Sequence, residues 1–273
     1  MKDIFSTAFL MGGLGNQMFQ IANAYSQGLD GSVDTVFRPF SQTNLQGHQT
    51  EKYVNNIFKK IKFVNSLEDY ARYYEPNWHY NDKKFLWDKS IEFYGYYQSS
   101  KNFLSFSNEV ISLFEMDYET KNYLLEKYNQ LYHPDNISIH VRRGDYVNYP
   151  NTHPVISKSY IDSSLNEIGK YDYIFVFTDD KNWVKNNLNY NNMIFVDEED
   201  YIELWLMSLC KNNILSNSSF SWWGSFLNTN KNKKIIAPSI WFGPEGPKNF
   251  QDIYEPYWTV LNVTIKDGEL ITN

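Results

Sequence analysis

Hydrophobic positions along the chain fall into two rhythms. In the second half, short apolar and β-branched runs at 137–141, 173–177, 193–196, 214–215 and 235–237 are each followed by polar or turn-forming residues. Between these runs apolar residues return at helical spacing, first Tyr160, Leu165 and Ile168 with Ser164 on the same face, then Ile202, Trp205, Leu206 and Leu209. Short strands alternating with helices predict a parallel sheet covered on both faces, whose ligands sit beyond the carboxyl ends of the strands. The first half opens in the same way. Residues 7–11 read as a strand, 12–15 as a tight glycine loop, and 16–27 as a helix with Met18, Ile21, Ala22 and Tyr25 on one face. Residues 30–130 carry a weaker pattern, from which a strand at 93–97 and an amphipathic helix near 110–128 stand out. The polar, proline-bearing segment Tyr132-His133-Pro134-Asp135 precedes the strongest strand, and a domain boundary is expected there, giving domains at 1–132 and 133–273 with the last residues able to pack back on the first domain.

Composition narrows the function. With 42% hydrophobic, 18% aromatic and 21% charged residues over 273 positions, the chain has the material for a large buried core and is not intrinsically disordered. Twenty-five basic against 32 acidic side chains give a net charge of −7, which offers no global attraction to nucleic acid or anionic lipid. Any anion site must be local. The single cysteine, Cys210, excludes an internal disulfide and a Cys-rich zinc cluster and fits a reducing compartment. The first ten residues are too interrupted for a signal peptide, and no apolar run reaches the length of about 18 that spans a bilayer, so a soluble, cytoplasmic protein without a membrane segment is expected.

Three clusters carry chemistry. Two of the four arginines are adjacent, in Ile139-His140-Val141-Arg142-Arg143-Gly144-Asp145-Tyr146, at the carboxyl end of a predicted strand. Arginine presents a planar, permanently charged fork that engages phosphate oxygens in paired hydrogen bonds, and a diphosphate is its natural guest. Strand alternation sends one arginine toward a ligand and the other toward supporting structure; Arg142 is assigned to the ligand, and for Arg143 an ion pair with Asp145 is the structural alternative. The second cluster, Gly12-Gly13-Leu14-Gly15-Asn16-Gln17, is a strand-to-helix loop whose backbone can approach a ligand. It lacks the spacing of a dinucleotide fingerprint and the Lys-Ser/Thr of a nucleotide triphosphate loop. In the third, Ser216-Asn217-Ser218-Ser219-Phe220-Ser221-Trp222-Trp223-Gly224, hydroxyls at a helix start serve either as caps or as phosphate ligands, while the tryptophans read as core.

Together with Phe177-Thr178-Asp179-Asp180, these motifs, in order and spacing, resemble those of the α-1,2-fucosyltransferases of glycosyltransferase family 11. The resemblance spans residues 12–224. It implies an α/β fold of GT-B type, two facing Rossmann-like domains with the donor site in the C-terminal one, and inverting transfer of L-fucose from GDP-fucose to the 2-hydroxyl of a galactose-terminated acceptor. On matching positions it implies His140 and Arg142 at the nucleotide and its diphosphate, with Arg143 beside them; Ser218, Ser219 and Phe220 close the phosphate end. Gly13, Leu14, Gly15 and Asn16 approach from the other domain.

Glu203, at a helix start, matches the two donors of a guanine edge, with a dipole-favoured helix acid as the alternative. Asp179 is a ribose contact or a helix cap. Asp145 is the candidate general base, although the adjacent arginines weaken it as one. No Asp-X-Asp occurs, the Asp197-Glu198-Glu199-Asp200 run reads as a solvated loop, and the resemblance implies a metal-independent enzyme without a cofactor. Phe19, Trp78, His79, Trp87, Tyr94 and Tyr96 offer faces to acceptor sugars, most of them as core residues. The competing possibilities are a fucosyltransferase of other linkage or acceptor, one using another GDP-sugar, and a non-catalytic nucleotide-sugar or glycan binder; a nucleic-acid binder is disfavoured by charge.

Overall fold

A computed structural model describes residues 4–39 and 49–272. The chain divides into two compact units, the first running to Met116 and taking in Gln251–Glu255, the second comprising Asp117–Phe250 and Pro256–Asn273.

The first unit is built on a four-stranded, fully parallel sheet of β1 (Phe5–Ala8), β2 (Asp34–Thr35), β3 (Tyr70–Tyr74) and β4 (Ser90–Tyr94), in the order β2-β1-β4-β3. Helix α1 (Leu14–Gly31) links β1 to β2 and is longer at both ends than its apolar pattern suggests. Met18, Ile21 and Ala22 are fully buried, as the helical period requires, and so are Gln17 and Gln20. Those two amides are folded back on the glycine loop, with Gln17 Nε2 donating to Gly12 O at 3.0 Å and Gln20 Oε1 accepting from Met11 N at 2.9 Å. A short helix α2 (Glu51–Val54) and α3 (Ser107–Leu113) complete the unit.

Two expectations shift here. The strand expected at 93–97 ends at Tyr94 because the Glu75 carboxylate accepts from Tyr96 N at 2.7 Å and Tyr97 N at 3.1 Å, turning the chain out of the sheet and leaving Tyr97 at φ +53°. The helix expected at 110–128 is two helices, α3 and α4 (Tyr118–Lys127), because Asp117 accepts from Thr120 N at 2.7 Å and caps a new start.

The division between the units falls at that break, upstream of Tyr132–Asp135, because α4 packs with the second unit. Tyr128 meets the Phe175 ring at 6.1 Å, and the Glu198 carboxylate accepts from the hydroxyls of Tyr123 (3.1 Å) and Tyr128 (2.9 Å). The segment that returns to the first unit is 251–255 rather than the C-terminus, with Asp252 accepting from Tyr80 N at 2.8 Å.

The second unit holds a six-stranded parallel sheet of β5 (Asn136–Val141), β7 (Tyr173–Thr178), β8 (Met193–Phe195), β9 (Asn212–Ile214), β10 (Ile235–Pro238) and β11 (Thr259–Leu261), ordered β11-β10-β9-β5-β7-β8. A separate three-stranded sheet forms from β6 (Val155–Ile156), β12 (Thr264–Lys266) and β13 (Glu269–Ile271). Helices α5 (Lys158–Ile168), α6 (Lys181–Asn187), α7 (Asp200–Leu209) and α8 (Ser219–Phe226) connect successive strands. Every residue of β5 is buried, as expected of a central parallel strand covered on both faces. Ile137, Ile139 and Val141 enter one core with Ile174, Val176, Ile214 and Ile236, each such side chain contributing about 1.5–3 kcal/mol. The opposite face of β5 is polar, where Asn213 Nδ2 donates to Ser138 Oγ at 2.7 Å and His140 follows two residues later.

Among the described residues, no helix is long and apolar enough to cross a membrane.

Candidate active site

The motif residues of the second unit gather at one place, the carboxyl edge of its six-stranded sheet. Arg142 and Arg143 follow β5, Asp179 and Asp180 follow β7, and Ser216–Ser218 follow β9. Because β5 lies between β7 and β9, all three loops adjoin.

Asp179 organises this edge. Its Oδ1 accepts from Arg143 N at 2.8 Å and Gly144 N at 3.1 Å, and its Oδ2 accepts from Arg142 Nη1 at 2.6 Å. Gly144 is required by close approach, since a Cβ there would lie 2.5 Å from Asp179 Oδ2. Arg142 bonds through its other terminal nitrogen to Asp145, and its guanidinium rests 5.0 Å over the Tyr146 ring, itself stacked on His153 at 4.5 Å. The Arg142 side chain remains 30% exposed.

Arg143 takes the opposite course. Only 12% exposed, it packs 4.3 Å over the Trp183 ring, with Nε 3.4 Å from Asp180 and Nη1 3.3 Å from Glu269. It braces β5 against α6 and β13 and is a supporting residue, in contrast to its expected place beside the donor. The alternative pair with Asp145 does not form either, because the turn after Gly144 hands Asp145 to Arg142. Asp180 caps α6, its Oδ1 accepting from Trp183 N at 2.9 Å.

His140 is buried, with Nδ1 2.7 Å from Ser216 Oγ and its ring 5.3 Å from that of Phe220. Burial pushes its pKa down to about 4, helped by Arg142 and opposed by Asp179, so the imidazole is neutral at physiological pH and serves as a hydrogen-bonding group. Ser218 is the N-cap of α8, accepting from Phe220 N at 3.3 Å, and Ser219 and Phe220 begin that helix half-buried. Trp222 and Trp223 are fully buried, confirming their core role.

Glu203 lies one strand further along the same edge, in the first turn of α7 after β8. Burial raises its carboxyl to about 7; the Glu198 amide, 3.4 Å from Oε1, opposes the rise, and Asp200 and Asp197 add to it. The acidic run before it is only partly solvated. Asp197 is exposed and paired with Lys181, whereas Glu198 is half-buried against α4.

In the first unit, the loop after β1 places Gly12 at φ +76°, a conformation suited to glycine, and α1 starts without a side-chain cap. Gly13 and Asn16 are half-buried, and Asn16 Oδ1 accepts from Gln98 Nε2 at 2.7 Å. Leu14 is a core side chain and Gly15 is buried, so the loop presents backbone rather than side chains at these two positions.

Of the aromatic candidates, Phe19 is wholly core, Trp78 stacks on Tyr96 at 5.5 Å, and Tyr94 forms a ladder with Phe9 (5.1 Å) and Tyr74 (5.2 Å). His79 lines a small, open depression with Tyr73, Phe85, Tyr97 and the buried Asn23. Among the described residues, no three His, Cys, Asp or Glu side chains converge to hold a metal.

Sequence reasoning missed Tyr146, His153, Ser216, Trp183 and Glu269 as parts of the site's frame. Tyr146 and Ser216 lie inside the quoted motifs, whereas Glu269 arrives from the far end of the chain and carries no local signal.

The chain is similar to known proteins in sequence and in fold. The chain matches glycosyl transferase family 11 over residues 2–262. It is 30% identical to the O-antigen biosynthesis glycosyltransferase WbnK of Escherichia coli, over 85% of this chain and 93% of the relative. It is 29% identical to an alpha-1,2-colitosyltransferase of Escherichia coli, over 92% and 97%. Its fold is similar to those of the fucosyltransferase NodZ from Bradyrhizobium (TM-score 0.55, 12% identity, 91% of this chain and 97% of that one) and of POFUT1 in complex with GDP-fucose (TM-score 0.51, 12% identity, 85% and 97%). Two units on parallel sheets and these structural likenesses define a GT-B-type α/β fold. With the family match covering nearly its whole length, the chain belongs to glycosyl transferase family 11 and is a glycosyltransferase.

Proposed function

We propose that the protein transfers L-fucose from GDP-fucose to the 2-hydroxyl of a β-galactoside, with inversion at the sugar's C1. The observation that carries this is the outward guanidinium of Arg142, held at the carboxyl edge of the second sheet beside neutral His140 and the start of α8. That edge is where open parallel sheets take their ligands, and two-pronged arginine bonds suit a diphosphate. The α-1,2 linkage is supported by the name of the colitosyltransferase relative, and a guanosine diphosphate donor by the GDP-fucose bound to POFUT1.

In the proposed reaction the acceptor oxygen forms its bond to C1 as the C1–O bond to the β-phosphate breaks, and the electron pair leaves with GDP. Arg142 stabilises the charge growing on that phosphate, a preorganised contact of the kind worth about 10² to 10³ in rate. Arg142 is thus the proposed cation at the leaving group, and no metal is required. Asp145 is the proposed acceptor of the hydroxyl proton. His140, Ser218, Ser219 and Phe220 line the donor, Glu203 reads the guanine edge, and Gly13 and Asn16 offer their backbone to substrate.

A second reading, α-1,2 transfer of a colitosyl group, is favoured by the same relative's name. The test is GDP release from GDP-fucose with lactose, with and without EDTA, and linkage analysis of the product by NMR. An α-1,2-fucosyl product at a rate unchanged by EDTA is expected. An EDTA-abolished rate contradicts the metal-free step; inactivity with GDP-fucose and turnover with the colitosyl donor decides for the second reading.

A further inference from the structure

The charge balance around Arg142 does not suit a diphosphate as it stands. Arg142 is paired with Asp145 and Asp179, and Arg143 with Asp180 and Glu269, so two guanidiniums face four carboxylates. An incoming diphosphate meets a cluster whose formal charge is 2 − 4 = −2, although its purpose on the donor reading is to receive an anion.

The four carboxylates are not equally fixed. Asp180 and Glu269 hold Arg143, away from the ligand, and Asp180 is committed to capping α6. Asp179 is held by three hydrogen bonds from three groups, in space that Gly144 leaves open by lacking a Cβ. Asp145 differs. Its side chain is 62% exposed, and among the described residues its only hydrogen bond is the one to Arg142. It begins a short 3₁₀ turn, Asp145–Asn148, immediately after Gly144, and its carboxylate faces solvent. Carboxylate and phosphoryl oxygens make the same demand on a guanidinium, two acceptors in the plane of the fork.

We infer that Asp145 occupies, in the donor-free protein, the place on Arg142 that a phosphoryl oxygen of the donor takes, so that donor binding exchanges one anion for another on a guanidinium that Asp179 keeps still. The inference rests on the donor reading above. The exchange halves the carboxylate charge on Arg142 as the diphosphate arrives, and it leaves Asp145 unpaired beside the reacting bond. Before the donor binds, Asp145 thereby positions Arg142; once released, it is the carboxylate to which the proposed reaction gives the hydroxyl proton.

The test is calorimetric titration of the full chain with GDP, and separately with guanosine, for the parent, Asp145→Asn and Asp145→Ser, each checked for an unchanged melting transition. A competing carboxylate in an exposed pair is worth a factor of about two to five, so both variants are expected to bind GDP about two- to fivefold more tightly while guanosine affinity stays the same. A residue needed only for the shape of the loop weakens GDP binding when replaced. GDP affinity unchanged or reduced in both variants, or an equal gain for guanosine, overturns the inference while leaving the donor reading intact. Failure of the parent protein to bind GDP at all refutes the donor reading itself, and the exchange with it.

Discussion

The carboxyl edges of the two sheets, where the proposed function places the substrates, are built from different atoms. In the first unit the edge is made of backbone: a glycine at φ +76°, an uncapped helix start, and two buried glutamines that hold the loop by its carbonyl and amide groups. Arg72, on β3, is spent on Glu92 at 2.5 Å and on the Phe9 and Tyr94 rings. In the second unit the edge is made of ionised side chains, with Asp179 at the hub and Arg142 facing out. A backbone site is nearly indifferent to salt and intolerant of added carbon; a side-chain site is sensitive to salt and to single charges. The contrast fits a division in which the second unit handles the charged donor.

The largest effect is expected at Arg142. Arg142→Ala should lower kcat by about 10² to 10³, with Arg142→Lys recovering only part, because an ammonium lacks the fork. Steady-state rates of GDP release check this, and equal rates in the alanine variant break the comparison. Next is Asp179→Asn, which keeps the hub's shape but removes its charge; loss of a charge-assisted bond in a partly exposed setting predicts GDP affinity weaker by about tenfold. Calorimetry reads it, and GDP affinity should also fall with added salt.

Gly12→Ala probes the other edge. Placing a side chain at φ +76° costs about 1–2 kcal/mol, expected as a melting temperature lower by a few degrees. An unchanged melt would mean that the loop relaxes freely.

The smallest effect concerns Glu203. Its carboxyl is raised to about 7 in the folded chain against an ordinary 4.5, so the folded state holds the proton more tightly between those values. Stability from this group is present below pH 4.5 and is lost as pH rises through 7. Glu203→Gln should therefore raise the melting temperature at pH 8 and leave it unchanged at pH 4. A variant insensitive to pH would show that the carboxyl is not strained.

Much of the second unit was legible in the sequence, because strands of a covered parallel sheet read as short apolar runs, as β7 and β10 do, or carry β-branched residues at every second position, as β5 does. Alternation also sends Arg142 and Arg143 different ways, and their side chains are 30% and 12% exposed. What escaped was set by tertiary partners. Arg143 finds Glu269, 126 residues away, through a small sheet whose three strands are each two or three residues long and leave no periodic trace. His140 meets Ser216 only because β9 lies next to β5 in the sheet. The break between α3 and α4 was hidden because Phe114 is buried and apolar at a helical interval, while the cap at Asp117 is a single side chain. Leu14 sits inside a motif, yet its side chain belongs to the core, and motif membership alone does not separate a backbone role from a side-chain one.

The central claim is that a guanosine diphosphate is held by Arg142 at the carboxyl edge of the second sheet. Its most direct test is a calorimetric titration of GDP into the parent protein and Arg142→Ala at equal ionic strength. One site per chain in the parent and affinity at least about tenfold weaker in the variant, with the melting transition unchanged, is the predicted result. Equal affinity in the two proteins would contradict the account.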